Sequence, residues 1–252
     1  MSAIQISISA EPIFHLGQFV VTNSMFTSVL VTALLIVFAV CANRAVTSTS
    51  KNSRFRILVE FIIESLQNLT TGVVGTGKRA HLFGPLIVSF FIFILVNNWA
   101  GLIPGVGSIG IWEHHGEENI FVPYFRAGTA DLNMTIALAL ISVVLTQVFG
   151  YSFQKLKYFS KFINFSNPLN FFVGVLELVL EVAKIVSFAF RLFGNIFAGE
   201  VLLTVMTALV PLIIPMPFYG MELFVGFIQA LVFSMLSLVF FNMATIGHGE
   251  EH

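Results

Sequence analysis

The sequence predicts an all-α integral membrane protein of about five membrane helices, the last two forming a long, steeply inclined hairpin, with an amphipathic surface helix beside them. Three observations predict it. The chain is 57% hydrophobic and only 10% charged, against about 25% charged in a soluble domain, and its mean hydropathy is +0.93. Three runs, 20–42, 82–103 and 132–153, carry no charge and exceed the roughly 18 apolar residues that mark a spanning helix. The stretch 168–246 is as apolar but holds six charges, Glu177, Glu181, Lys184, Arg191, Glu200 and Glu222. A charge near the bilayer centre costs about 3 kcal/mol on insertion scales and more in simulation, so ionisable residues kept there point to function.

The whole chain, 1–252, reads as a single membrane domain. Residues 1–19 contain no Lys or Arg and lack the basic flank and small-residue cleavage site of a secretory signal, so they are expected to form an external N-terminus. Orientation follows from the basic residues of the loops. Arg44, Lys51, Arg54, Arg56, Lys78 and Arg79 lie after the first span and Lys155, Lys157 and Lys161 after the third, whereas 105–131 holds only Arg126. The N-terminus is therefore expected outside and, after two further crossings, the C-terminus in the cytoplasm. Cys41 is the one cysteine and can form no internal disulfide, and it is expected to be a packing residue.

Between the first two spans, residues 55–69 set Arg56, Glu60, Glu64 and Gln67 at helical spacing, with Phe55, Leu58, Val59, Ile62, Leu66 and Leu69 opposite them. Such a pattern describes an amphipathic helix on the inner surface of the membrane. The GVVGTGK stretch that follows resembles a phosphate loop only superficially, since its spacing is wrong and no buried strand precedes it. It reads as a linker. The loop WEHHGEEN (Trp112 to Asn119) places two histidines beside three glutamates, but adjacent residues point apart on any regular element, and a solvated acidic loop is preferred to a metal site. The same holds for the C-terminal GHGEEH. No metal and no cofactor are expected, and a net charge of −1 argues against nucleic acid as a partner.

From Pro168 to Pro211 the chain runs 44 residues without another proline, about 65 Å as one helix, against a hydrocarbon core of about 30 Å. Either the helix breaks near Gly194 or Gly199 or it lies strongly tilted. A second helix, 218–246, follows a Pro-rich turn, giving an antiparallel charged hairpin over 168–246. Glu177, Lys184 and Arg191 are seven apart and Asn195 follows four later, which makes one polar stripe. Glu200, nine residues beyond Arg191, faces the other way. Glu222 and Gln229 form a stripe on the second helix, and counting from the turn lets Glu200 and Glu222 share a water-filled pocket. Arg191 keeps its charge at any cellular pH. It therefore separates an outer carboxylate cluster from an inner one and repels a hydrated proton between them.

At these residues the sequence resembles the a subunit family of F-type ATP synthase. RLFGNIFAGE (Arg191 to Glu200) and ELFVGFIQALVF (Glu222 to Phe233) are similar to the family's two hairpin helices, and GLIPG (Gly101 to Gly105) and TADLNMT (Thr129 to Thr135) to its earlier spans. The resemblance implies a proton-translocating stator subunit, without a catalytic site of its own, that provides two offset half-channels beside a ring of c subunits. By the same resemblance Arg191 meets the carboxylate of each passing c subunit, Asn195, Glu200, Glu222 and Gln229 line the outer half-channel, and Glu177 and Ser187 belong to the inner one. Histidine replaces Glu222 in some bacterial members and Glu200 in mitochondrial ones, so two glutamates here imply a coupled carboxylate pair. The partners implied are the c-subunit ring, the b subunits of the peripheral stalk, other ATP synthase subunits and membrane lipid, in a bacterial inner membrane rather than an organelle's. A proton-coupled secondary transporter is the alternative, against which stands the lack of internal repeats.

Overall fold

A computed structural model describes residues 9–17, 19–47, 54–115, 118–159, 162, 168–210 and 215–246. Among the described residues the chain is all-α apart from two small hairpins, and it has the hydropathy of a multi-pass membrane protein. Strands β1 (Pro12–Leu16) and β2 (Phe19–Thr22) pair antiparallel and lead into α1 (Asn23–Thr47). Then come α2 (Arg54–Val74), α3 (Lys78–Ala100), a second antiparallel pair β3 (Gly110–His115) and β4 (Glu118–Pro123), and α4 (Leu132–Gln154). A four-residue helix α5 (Leu156–Phe159) precedes the long helices α6 (Pro168–Leu209) and α7 (Pro215–Thr245).

Several boundaries differ from the expectation. Residues 20–22 belong to β2 rather than to the first span, and 101–103 form a turn after α3 rather than its last residues. Part of the expected WEHHGEEN loop is strand, closed by backbone pairing from Gly110↔Pro123 to His115↔Glu118. α6 is unbroken through Gly194 and Gly199, so tilt and not a break must accommodate its 42 residues. Cys41 is exposed on α1 and packs against nothing in the core, contrary to its expected role. The GHGEEH segment lies outside the described residues.

Short polar contacts set the directions of the helices. Ser28, near the start of α1, donates to Asn97 Oδ1 near the end of α3 at 3.1 Å, so the two run antiparallel. Asp131 caps α4, accepting from Asn133 N at 2.9 Å, and its other oxygen accepts from Ser24 Oγ at 2.8 Å. Both strand pairs, the start of α1, the end of α3 and the start of α4 therefore share one end of the bundle, called here the β end. At the opposite end Arg79 donates to Thr245 O at 3.4 Å and Gln154 to Ala244 O at 2.9 Å, joining the start of α3, the end of α4 and the end of α7.

The core lies where α3, α4, α6 and α7 meet. Phe83, Phe149 and Phe241 pack mutually, with ring centroids 5.0 to 5.7 Å apart, and Ile87, Ile94, Leu192 and Leu238 are sealed around them. Ser142 and Ser237 share a 2.7 Å hydrogen bond inside this core, which satisfies both hydroxyls and fixes α4 against α7. Outward faces stay apolar: Leu34, Val37, Leu140, Val144, Leu178 and Val182 are all exposed. A surface of that kind is stable in lipid and would aggregate in water.

α2 is the exception to spanning. By length and hydropathy it qualifies, yet α1 stops and α3 starts at the same end of the bundle, and α2 is joined to both by short connections. It therefore stays at that end. Arg56 pairs with Glu60 at 2.7 Å, Val59 and Leu66 are buried against the protein, and Phe55, Leu58 and Leu69 remain exposed.

Candidate functional site

A cavity of about 670 Å³ opens at the β end, with Glu11, Asn23, Asn98, Arg126, Glu200, Tyr219 and Glu222 in its wall. Arg126 is its fixed cation. The turn before α4 holds it in place: its backbone N–H donates to Thr27 Oγ1 at 3.2 Å. Its Nε lies 3.0 and 3.1 Å from the two carboxylate oxygens of Glu200, its Nη1 donates to Ser9 O at 3.1 Å, and its guanidinium sits 5.9 Å from the Phe197 ring centre. The Arg126 side chain is only 6% exposed, against 35% for Glu200. So enclosed an ion pair persists because both charges are hydrogen-bonded.

Glu222 enters the same cavity from α7. It is 4% exposed and, among the described residues, has no hydrogen-bond or ion-pair partner. Its carboxyl lies against Gly199, where a Cβ would collide with it. Any larger residue at 199 would have to displace the Glu222 carboxyl, so glycine is favoured there by close approach and not by backbone angle. Two bonds from α3 grip α7 just beyond Glu222: Trp99 Nε1 donates to Leu223 O at 3.0 Å and Asn98 Nδ2 to Gly226 O at 2.8 Å. Asn98 is held in turn by the hydroxyl of Thr129, which donates to its Oδ1.

Arg191 stands apart from this cavity. It projects from the opposite side of α6, exposed among apolar neighbours such as Val186 at 51% and Phe190 at 54%. Among the described residues no acid lies within ion-pairing distance of it. Asn195, one turn on, donates to Arg191 O at 3.0 Å, and Ser187, one turn before, is exposed on the same side.

Toward the opposite end a third group forms. Lys184 pairs with Glu181 at 2.8 Å and lies 4.6 Å from the Phe240 ring centre. Tyr158, on α5, is 1% exposed, donates to Gln147 Oε1 at 2.8 Å and packs its ring on Gly150. Burial pushes the Tyr158 phenol up, and the neighbouring charges of Glu181 and then Glu177 push it the same way. Glu177 is half-buried beside this group.

The sequence-predicted residues therefore divide. Glu200 and Glu222 come together in one cavity, while Asn195 and Gln229 are absent from its wall. Lys184 is engaged with Glu181 and Phe240. Among the described residues no direct hydrogen bond joins Glu200 to Glu222, and Glu200 is paired with Arg126. Arg126 and Glu11 were missed. The available signal was the isolation of Arg126, the one basic residue between 105 and 131, directly before TADLNMT.

Long helices with apolar outward faces, and a cavity at one end walled by charged side chains from the turn before α4 and from α6 and α7, define a multi-pass membrane protein. Comparison with protein families says which kind: residues 25–242 match the ATP synthase A chain, and the chain belongs to that family. It is accordingly a membrane subunit of the proton-translocating sector of ATP synthase, and the family is not the catalytic part of that complex.

Proposed function

We propose that the chain is the stator subunit that passes protons to and from a rotating ring of c subunits through two offset half-channels. One observation carries the reading: Arg191 presents a permanent charge on an exposed apolar face of α6, and among the described residues no acid pairs with it. In lipid that charge needs a counter-ion from another protein, and a membrane-buried carboxylate on each c subunit supplies one. The other face of the hairpin holds the outer half-channel. Protons reach Glu200 and Glu222 from the β end, which is the outer side, and leave past Glu177 and Ser187 toward the cytoplasm. Asn195 and Gln229 serve between the cavity and the ring, orienting water with their amides.

The carboxylate of a c subunit that meets Arg191 gives up its proton, because the guanidinium favours the ionised form. The same charge repels a free hydrated proton, so the half-channels do not short-circuit. A potential of 100 mV supplies about 2.3 kcal/mol per charge moved. The b subunits and lipid cover the remaining apolar faces, in a bacterial inner membrane. The test is proton flux in inverted vesicles carrying the assembled complex with Arg191→Ala. Lost ATP-driven acidification together with increased passive leak is expected. Normal acidification without leak would make Arg191 a structural charge and end this reading.

A further inference from the structure

Glu222 can exchange protons with the cavity only while its carboxyl stays there, and apolar packing of α7 does not hold it at that level. Along the first turns of α7, Met216, Met221, Leu223 and Phe224 are exposed, and the residues buried just beyond Glu222 are small, Gly226 and Ala230. The first large apolar side chain of α7 to be buried is Phe233, eleven residues beyond Glu222, about 16 Å along the helix. Hydrophobic contact therefore fixes α7 deep in the bundle and leaves the turn of the carboxylate to other forces.

The end of α3 supplies them. It is itself anchored, since Asn97 Oδ1 accepts from Ser28 of α1 at 3.1 Å and Asn98 Oδ1 accepts from Thr129 in the turn before α4. From this fixed rail Trp99 Nε1 donates to Leu223 O at 3.0 Å and Asn98 Nδ2 to Gly226 O at 2.8 Å. A helical carbonyl has two lone pairs, one engaged by its own helix, and these donors take the other. Leu223 and Gly226 are three apart and share one side of α7, so the pair of bonds fixes both the rotation and the height of the turn that carries Glu222. Gly226 lets the rail come close: a Cβ there would lie 3.2 Å from Asn98 Cβ and 3.4 Å from the Trp99 ring. We infer that Trp99 is a positioning residue for proton transfer at Glu222, its indole N–H holding α7 so that the carboxyl stays seated against Gly199 in the cavity. The inference rests on the half-channel reading above. Asn98 shares the clamp but also stands in the cavity wall, whereas Trp99 is absent from that wall and reaches Glu222 only through α7.

The experiment is ATP synthesis by the whole complex in proteoliposomes for wild type, Trp99→Phe, Gly226→Ala and Glu222→Gln, joined to a measure of position. In a Cys41→Ser background, the pair Gly199→Cys and Glu222→Cys reports, by its rate of disulfide formation, how closely α7 is held to α6 at that level. Trp99→Phe keeps an aromatic ring and loses the donor. It should slow synthesis about fivefold, the worth of one neutral hydrogen bond, and slow disulfide formation by a similar factor in complex assembled to the normal amount. Gly226→Ala pushes the two helices apart with the indole retained, so it should lower both rates to a smaller extent, and it carries the test if Trp99→Phe does not assemble. Normal synthesis in the assembled variant overturns the inference, and so does slowed synthesis with unchanged disulfide formation. Glu222→Gln separates the two levels: if it is slow while Trp99→Phe matches wild type, only the role of Trp99 falls, and if Glu222→Gln matches wild type the half-channel reading falls and takes this inference with it.

Discussion

Two arginines, Arg126 and Arg191, sit on opposite sides of one helix's surroundings and are treated in opposite ways. Arg126 is enclosed, paired with Glu200, bonded to a carbonyl and set near an aromatic ring. Arg191 is exposed and carries no acid partner among the described residues. The difference teaches that a charge satisfied within the chain builds structure, whereas under the function proposed above a charge left open on an apolar face is kept for a partner. Function is therefore to be sought where satisfaction is missing.

Variants can break that contrast. Arg191→Ala should have the largest effect on function and the smallest on assembly, with pumping reduced to background while the complex is recovered in normal amount. Arg126→Ala should do the reverse first: stranding Glu200 beside an enclosed space costs about 3–5 kcal/mol, read as loss of thermal stability of the purified complex. Adding Glu200→Gln to Arg126→Ala should recover a large part of that loss, and a double-mutant cycle measures how much. Gly199→Ala should destabilise by about 1–3 kcal/mol, because its Cβ has to displace the Glu222 carboxyl, and it should slow transport as Glu222→Gln does. Tyr158→Phe should be the mildest, about 1 kcal/mol for one hydrogen bond to Gln147, detectable in melting temperature with transport rates near wild type.

The helices were legible because lipid leaves hydropathy as the dominant signal. Uncharged runs located α1, α3 and α4 to within a few residues, and the spacing of Arg191 and Glu200 correctly placed them on different faces of α6. What escaped was set by contacts remote in sequence. Thr22 and its neighbours are apolar enough for helix but pair with β1 instead. Arg126 looked like an ordinary loop cation because its partner stands 74 residues away. Glu11 had no motif at all, and contacts remote in sequence, with Asn23 directly and with Arg126 through Ser9, hold its segment at the cavity wall. Gly194 and Gly199 looked like places to break a helix, yet Gly199 is explained by the side chain pressed against it.

The unbroken course of α6 has a consequence for its backbone polar groups. Discontinuous helices in transporters expose carbonyl oxygens and amide groups that can strip and replace an ion's hydration shell. A continuous helix commits those groups to its own hydrogen bonds along its length, so the polar path beside it has only side chains to offer. The continuity of α6 thus leaves the polar contacts along its faces to side chains alone.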